Sequence, residues 1–258
     1  MPTDSQQFTY IAGIKIACIN RLGMVSVILD RVKSYSRGDS PFVIFDANGH
    51  AISLANSSTT FMHSLNQADL VHADGQSVVR FSQWIDGHEI PERTATTDTI
   101  TDLPELSEHS LRHFLLGGSE ETVSNCAQIL NSTYHNFHIA GALHGYFDKS
   151  KSDEVIAHIN ASNADVLWVG FGKPIEQYWI MENKSKLRVP VIISCGGCFN
   201  YVTGDYKRAP LWMQNRGLEW AHRMLTEPKK LFWRYLTTNP HAVYCVLKHK
   251  FFGKKKYD

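Results

Sequence analysis

Apolar runs closing on glycine or aspartate recur along the chain, most of them followed by a stretch with helical spacing. Pro41-Phe-Val-Ile-Phe-Asp46 and Ala68-Asp-Leu-Val-His-Ala-Asp74-Gly75 predict two strands that end in loops. His113-Phe-Leu-Leu-Gly117-Gly118 predicts another, with Ser119, Glu120 and Glu121 opening an amphipathic helix through Leu130. Asp165-Val-Leu-Trp-Val-Gly170-Phe-Gly172 repeats the plan, and Pro174 and Glu176 start the helix that carries Tyr178, Trp179 and Met181. Val189-Pro-Val-Ile-Ile-Ser-Cys-Gly196-Gly197 is a further strand. Runs that are apolar throughout, rather than alternating, mark strands covered on both faces, as in a parallel sheet. Strands alternating with helices predict a doubly wound, mostly parallel, Rossmann-like α/β fold.

From about residue 205 the pattern changes. Arg208-Ala-Pro210, Trp212 to Trp220, Arg223, Glu227-Pro228, Leu231-Phe-Trp-Arg-Tyr235 and Val243 to Lys256 read as helical, aromatic and basic. The division predicted is an α/β catalytic domain over 1–204 and a helical, basic appendage over 205–258. The net charge of +1 conceals this asymmetry. Residues 229–258 hold eight Lys or Arg against Asp258, leaving 18 basic and 24 acidic residues in 1–228. A mildly acidic body with a basic, aromatic end suits an interfacial helix on an anionic leaflet, where each basic residue contributes about 1 kcal/mol. A solvated helix that simply closes the core has the same composition. The acidic body and the lack of a binding motif speak against a nucleic-acid partner.

The remaining composition excludes several classes. Hydrophobic residues at 43% and charged residues at 20% are those of a globular chain of 258 residues. The start, MPTDSQQFTY, lacks the basic and apolar regions of a leader, and no segment predicts a membrane span. A cytoplasmic location, peripheral on the inner membrane face, is therefore expected. Five cysteines do not make a secreted disulfide framework. Cys195-Gly-Gly-Cys198 lacks both a second ligand pair for zinc and a redox context.

In doubly wound sheets ligands bind beyond the carboxyl ends of the strands. Gly117, Gly118, Gly170, Gly196 and Gly197 stand there, where glycine lets backbone approach a phosphate. A Gly-Gly pair also simply makes a tight βα turn. No GxGxxG follows the first strand, which weakens a dinucleotide reading. Asp74, at a strand end, is a candidate general base, although turn aspartates are equally common. Arg93, in Pro91-Glu-Arg93, can fork onto a phosphate or carboxylate. There is no Asp-x-Asp, so leaving-group charge would fall to Arg, Lys and backbone amides. His135 and His138 lack a carboxylate or cysteine partner nearby.

An ordered set of motifs runs over about residues 10–240: Ala73-Asp-Gly-x-Ser-Val-Val, Pro91-Glu-Arg93, Phe114-Leu-Leu-Gly-Gly118, His144-Gly-Tyr-Phe-Asp148, Ile159-Asn-Ala-Ser, Gly197-x-Phe, Gly204-x-x-Lys-Arg-Ala-Pro210, and Gly217-Leu-Glu-Trp220 with Glu227-Pro228. This set resembles the WecG/TagA/CpsF glycosyltransferases, family 26. The resemblance implies inverting transfer, without a metal or other cofactor, from a UDP-sugar, typically UDP-N-acetylmannosamine or its uronic acid. The implied acceptor is a sugar on a polyprenyl diphosphate. Asp74 matches the family's proposed base and Arg93 an active-site arginine, while Asn56 matches an Asn in the loop after an early strand. Tyr146 and the glycine loops are expected at the substrate. Arg208, Arg223 and Arg234 fall in the basic segment that in the family closes over the site and binds membrane.

Two departures bear on the donor. The family's Thr two residues before its Asn is Leu54 here, and its Pro-x-Gln-Glu reads Pro174-Ile-Glu176-Gln177. Two rival readings use the same crevice. A nucleotide-cofactor oxidoreductase would copurify with NAD(P), and an inactive membrane-associated scaffold would transfer no sugar. Donor sugar, acceptor sugar and oligomeric state, a homo-oligomer included, stay open at the level of sequence.

Overall fold

A computed structural model describes residues 6–85 and 87–252, except the side chains of Asn215 and Lys230. The elements in chain order are β1 (Phe8–Ile11), β2 (Ile14–Ala17), α1 (Arg21–Ser34), β3 (Phe42–Ala47), α2 (Gly49–Ala55), α3 (Thr59–Asn66), β4 (Leu70–Ala73), α4 (Gln76–Trp84) and α5 (Thr96–Glu105). They continue with β5 (Leu111–Gly117), α6 (Glu120–Thr133), β6 (Phe137–Leu143), α7 (Ser152–Ser162), β7 (Val166–Gly170), α8 (Ile175–Asn183), β8 (Val191–Ser194) and α9 (Cys198–Val202). Three helices end the chain: α10 (Leu211–Asn215), α11 (Glu219–Thr226) and α12 (Pro228–Phe252).

Six strands form one sheet in the order β4-β3-β8-β7-β5-β6, every neighbouring pair parallel. The apolar runs fold as expected because each central strand buries side chains on both faces. In β7, Leu167 and Val169 enter the core under α2, α3, α7, α8 and α12, whereas Val166 and Trp168 enter the core under α1, α5, α6 and α9. The doubly wound prediction holds. The edge strand β6 and the antiparallel β1–β2 hairpin complete the strands described.

The segment after Gly204 is helical, and the second half of α12 is part of the body. Ala242, Cys245 and Val246 are buried in the core that also holds Ala51 and Ile52 of α2. His241 Nδ1 and Ser53 Oγ, 2.9 Å apart, fix its register. The first half of α12, with α10 and α11, roofs the carboxyl ends of the strands.

Candidate active site

The strand ends and this roof enclose a cavity of about 740 Å³. Its floor comes from the ends of β3 and β4 and the loops after β7 and β8. Its roof carries Arg216, Glu219, Arg223, Arg234 and Tyr235. This is the crevice expected of a doubly wound sheet, covered on one side by helices.

Asp74 lines the floor. The Thr96 backbone N–H donates to its Oδ1 at 3.0 Å and the Asn48 amide donates to its Oδ2 at 3.2 Å, so the carboxylate is fixed in orientation. Burial alone pushes its pKa up, but Lys173, His72, Asn48 and Thr96 outweigh that and hold it below the ordinary carboxylate range. His72 is packed between Thr94 and Thr96, and its own burial lowers its pKa. Asp74 is therefore ionised across the physiological range.

Beside it lies a buried ionic group that sequence reasoning passed over. Lys173 donates to Asp46 Oδ2 in a salt bridge, with side chains only 10% and 5% exposed. Burial works against the Lys173 cation, but Asp46, Glu176 and Asp74 raise its pKa, so it stays charged. Asn48 also donates to Asp46 at 3.4 Å and thus bridges the two aspartates. Asp46 closes an apolar run as Asp74 does, so the same strand-end rule marks it. His50, also on the wall, is pushed down to about 4 by burial, Arg234 and Lys173.

Glu176 is fully buried, and its Oε2 accepts from the N–H groups of Gly172 at 2.9 Å and Gly196 at 3.1 Å. It staples the loops after β7 and β8 together. Burial pushes its pKa up to about 7, opposed by Lys173. Gln177 is buried beside it and donates to its Oε1 at 3.2 Å, away from the cavity wall.

Two roof arginines face the cavity incompletely paired. Arg223 lies 5.6 Å from the Tyr201 ring, and Arg234 lies 5.0 Å from the Tyr235 ring and donates to its hydroxyl at 3.4 Å. The Nε of each is buried with no hydrogen-bond partner. A buried N–H left unpaired costs about 1–3 kcal/mol, more when charged. An anionic ligand would remove that cost.

Other expected residues sit elsewhere. Arg93 is off the cavity wall: its guanidinium donates to Glu219 at 2.6 Å, Asp98 at 2.9 Å and Gln214 at 3.0 Å. With Arg208, which pairs with the same Asp98, it ties α10 and α11 to the start of α5. Asn56 caps the C-terminus of α2 and donates to Ala12 and Ile52 carbonyls, far along the helix from the strand end. The asparagine that follows an early strand at the site is Asn48, and the residue two before it is Asp46. Leu54 instead packs against the core. Gly196 and Gly197 line the cavity, but Gly117, Gly118 and Gly170 do not. Gly117 has φ +147°, and a Cβ there would lie 2.4 Å from the Gly170 carbonyl oxygen, so it serves the close approach of β5 to β7. Tyr146 is 83% exposed on the loop after β6, outside the wall. Cys195 and Cys198 are buried free thiols whose pKa burial raises, which leaves them unreactive. The Lys254–Lys256 cluster lies outside the described residues.

The sequence model of the Glycosyl transferase WecG/TagA/CpsF family matches residues 9–256, the whole of this architecture. The chain belongs to that family. Among its relatives, an N-acetylglucosaminyldiphosphoundecaprenol N-acetyl-β-D-mannosaminyltransferase of Bacillus spizizenii is 30% identical over 187 residues, 72% of this chain and 71% of the relative. A Staphylococcus aureus protein of the same name is 27% identical over 228 residues, 86% of this chain and 87% of the relative. The chain is therefore a glycosyltransferase. The resemblance read from the ordered motifs holds over nearly the full length. No helix among the described residues is long and apolar enough to cross a membrane.

Proposed function

We propose that this transferase moves a hexose or hexosamine from a UDP-sugar to a sugar carried on a polyprenyl diphosphate, with inversion at the anomeric carbon. The two named relatives act on such an acceptor. The observation that carries the reading is a fixed, ionised Asp74 in a cavity roofed by two incompletely paired arginines. Asp74 takes the proton from the acceptor hydroxyl as its oxygen bonds to the anomeric carbon. The bond from that carbon to the diphosphate oxygen breaks on the opposite face, and UDP leaves with the electron pair. A carboxylate held below its usual pKa is a weak base in the ground state, so transfer of the proton is late, when the hydroxyl has become acidic. Arg223 and Arg234 neutralise the departing diphosphate, a role that preorganised donors fill without a metal. Arg93 holds the roof that carries them.

We propose attachment to the inner membrane face through α12. Leu231, Ala242 and Val246 are buried, while Trp233, Tyr244, Phe251 and Phe252 on other faces are exposed. A helix apolar on both sides needs a second apolar environment. Lys248 and Lys250 flank that face and suit an anionic leaflet.

The direct test is mass spectrometry of reactions containing a panel of UDP-sugars and a synthetic prenyl-diphosphate N-acetylglucosamine. A product heavier than the acceptor by one sugar residue is expected, with or without EDTA. Retention of unchanged acceptor with every donor would refute the reading.

A further inference from the structure

The cavity wall carries a second cationic pair that the proposed chemistry at Arg223 and Arg234 leaves unused. Arg80, on α4, and Arg216, just after α10, are both exposed, and neither forms an ion pair among the described residues. They meet at the rim: a Cβ placed on Gly217, the residue after Arg216, would lie 3.9 Å from the Arg80 guanidinium carbon. Tryptophans flank them. Trp84 is 44% exposed at the end of α4, and Trp212 is 55% exposed with the Arg216 guanidinium 5.7 Å from its ring.

An inverting displacement between two diphosphate-bearing substrates needs two separate anion sites. The leaving diphosphate and the attacking hydroxyl lie on opposite faces of the anomeric carbon. A nucleotide can be enclosed, and Arg223 and Arg234, half-buried with the Nε of each unpaired, suit it. A lipid-linked diphosphate cannot be enclosed, because its prenyl chain must run back to the bilayer. Its site has to be an open rim with cations and exposed apolar groups side by side, and α4 supplies that. The helix begins two residues after Asp74, and Arg80 stands about 6 Å along it from Gln76. Arg80 and Asp74 line the same cavity.

We propose that Arg80 and Arg216 form the subsite for the diphosphate of the lipid-linked acceptor, and that Trp84 and Trp212 carry its first isoprene units toward the membrane. The subsite rests on the polyprenyl-diphosphate acceptor of the proposed function. It predicts that the two substrates are read by different arginines.

The experiment uses Arg80→Gln, Arg216→Gln and the double variant, with thermal melting to show that these surface changes leave the fold intact. Kinetics in detergent use farnesyl-diphosphate N-acetylglucosamine as acceptor and UDP-N-acetylmannosamine as donor. The expected result is a rise in acceptor KM of about tenfold for each arginine, with donor KM unchanged. Arg80→Lys should recover part of the loss. Binding read by tryptophan fluorescence supplies an arm independent of transfer. Wild type should bind farnesyl diphosphate more tightly than farnesyl monophosphate, and the double variant should lose that preference. Sedimentation with vesicles containing phosphatidylglycerol should be unchanged.

A rise in donor KM, or an unchanged acceptor KM with unchanged farnesyl diphosphate binding, would overturn the assignment. So would a loss of vesicle binding without any change in detergent kinetics, which would make the pair a headgroup site. If wild type transferred no sugar but the variants still lost the diphosphate preference, the proposed reaction would fail while the subsite stood.

Discussion

At the residue scale, the site is an exercise in keeping charge where burial opposes it. Asp74 stays ionised because Lys173 is close and because two N–H donors hold it, whereas Glu176, equally enclosed, is driven toward the neutral form. The difference has a consequence for stability. The pKa of Glu176 rises from an ordinary 4.5 to about 7 in the folded protein, so the fold binds a proton the unfolded chain releases. Its contribution is complete below pH 4.5 and is lost as pH climbs through about 7. Glu176→Gln, whose amide oxygen still accepts from Gly172 and Gly196, should raise the melting temperature at pH 8 and flatten its dependence on pH over that window. A variant that melted lower than wild type at pH 8 would contradict the assignment. Arg223→Ala and Arg234→Ala should each weaken UDP binding about tenfold by calorimetry, the cost of one charge-assisted contact.

Residues at strand ends were the legible part of the site. Asp74 follows from the apolar run before it, and Asp46 obeys the same rule. What sequence order could not reveal is which side chains meet across the sheet. Lys173 reaches Asp46 from a loop 127 residues away. Asn56 and Asn48 both follow β3 in sequence, but only the turn directly after the strand faces the ligand side, so the helix length decides between them. The residue two before the site asparagine is thus an aspartate with its own buried lysine. At the cavity itself the ionic pair is Asp46–Lys173, whereas Leu54 packs into the core.

Among the elements, α12 is the one whose role the structure changes most. Its pattern reads as an appendage, yet Leu231, Ala242 and Val246 are fully or almost fully buried. Deleting residues 229–258 would therefore strip the core and unroof the cavity, and would report on folding rather than on attachment. Trp233→Ser together with Phe251→Ser changes only the exposed face. That variant should keep its melting temperature and lose most sedimentation with anionic vesicles, the remainder falling further as salt is raised. Equal sedimentation of variant and wild type would sink the membrane role. The strands of the central sheet were readable because each is apolar throughout. β6 escaped because His138, Gly141 and flanking alanines leave this edge strand only half-buried. The β1–β2 hairpin was missed because its strands are four residues each and turn on Ala12-Gly13, both at positive φ.

For the whole molecule, the charge asymmetry along the chain becomes a spatial one. The acidic body supplies Asp46 and Asp74 to the floor, and the C-terminal helices supply Arg223 and Arg234 to the roof of the same cavity. In the proposed membrane role, the same helices turn their exposed apolar residues, Trp233, Tyr244, Phe251 and Phe252, to the bilayer. The proposed function thus assigns donor chemistry and membrane docking to one set of elements, and Arg93, from the body, locks that set in place through Glu219 and Gln214. The central claim is that a single carboxylate, Asp74, removes the acceptor proton. The most direct measurement is the turnover of Asp74→Asn at saturating donor and acceptor, with UDP affinity measured on the same preparation. Loss of general-base catalysis predicts a fall in kcat of about 10²–10⁴-fold with UDP binding retained. A kcat within a few-fold of wild type in a folded, UDP-binding variant would contradict the account.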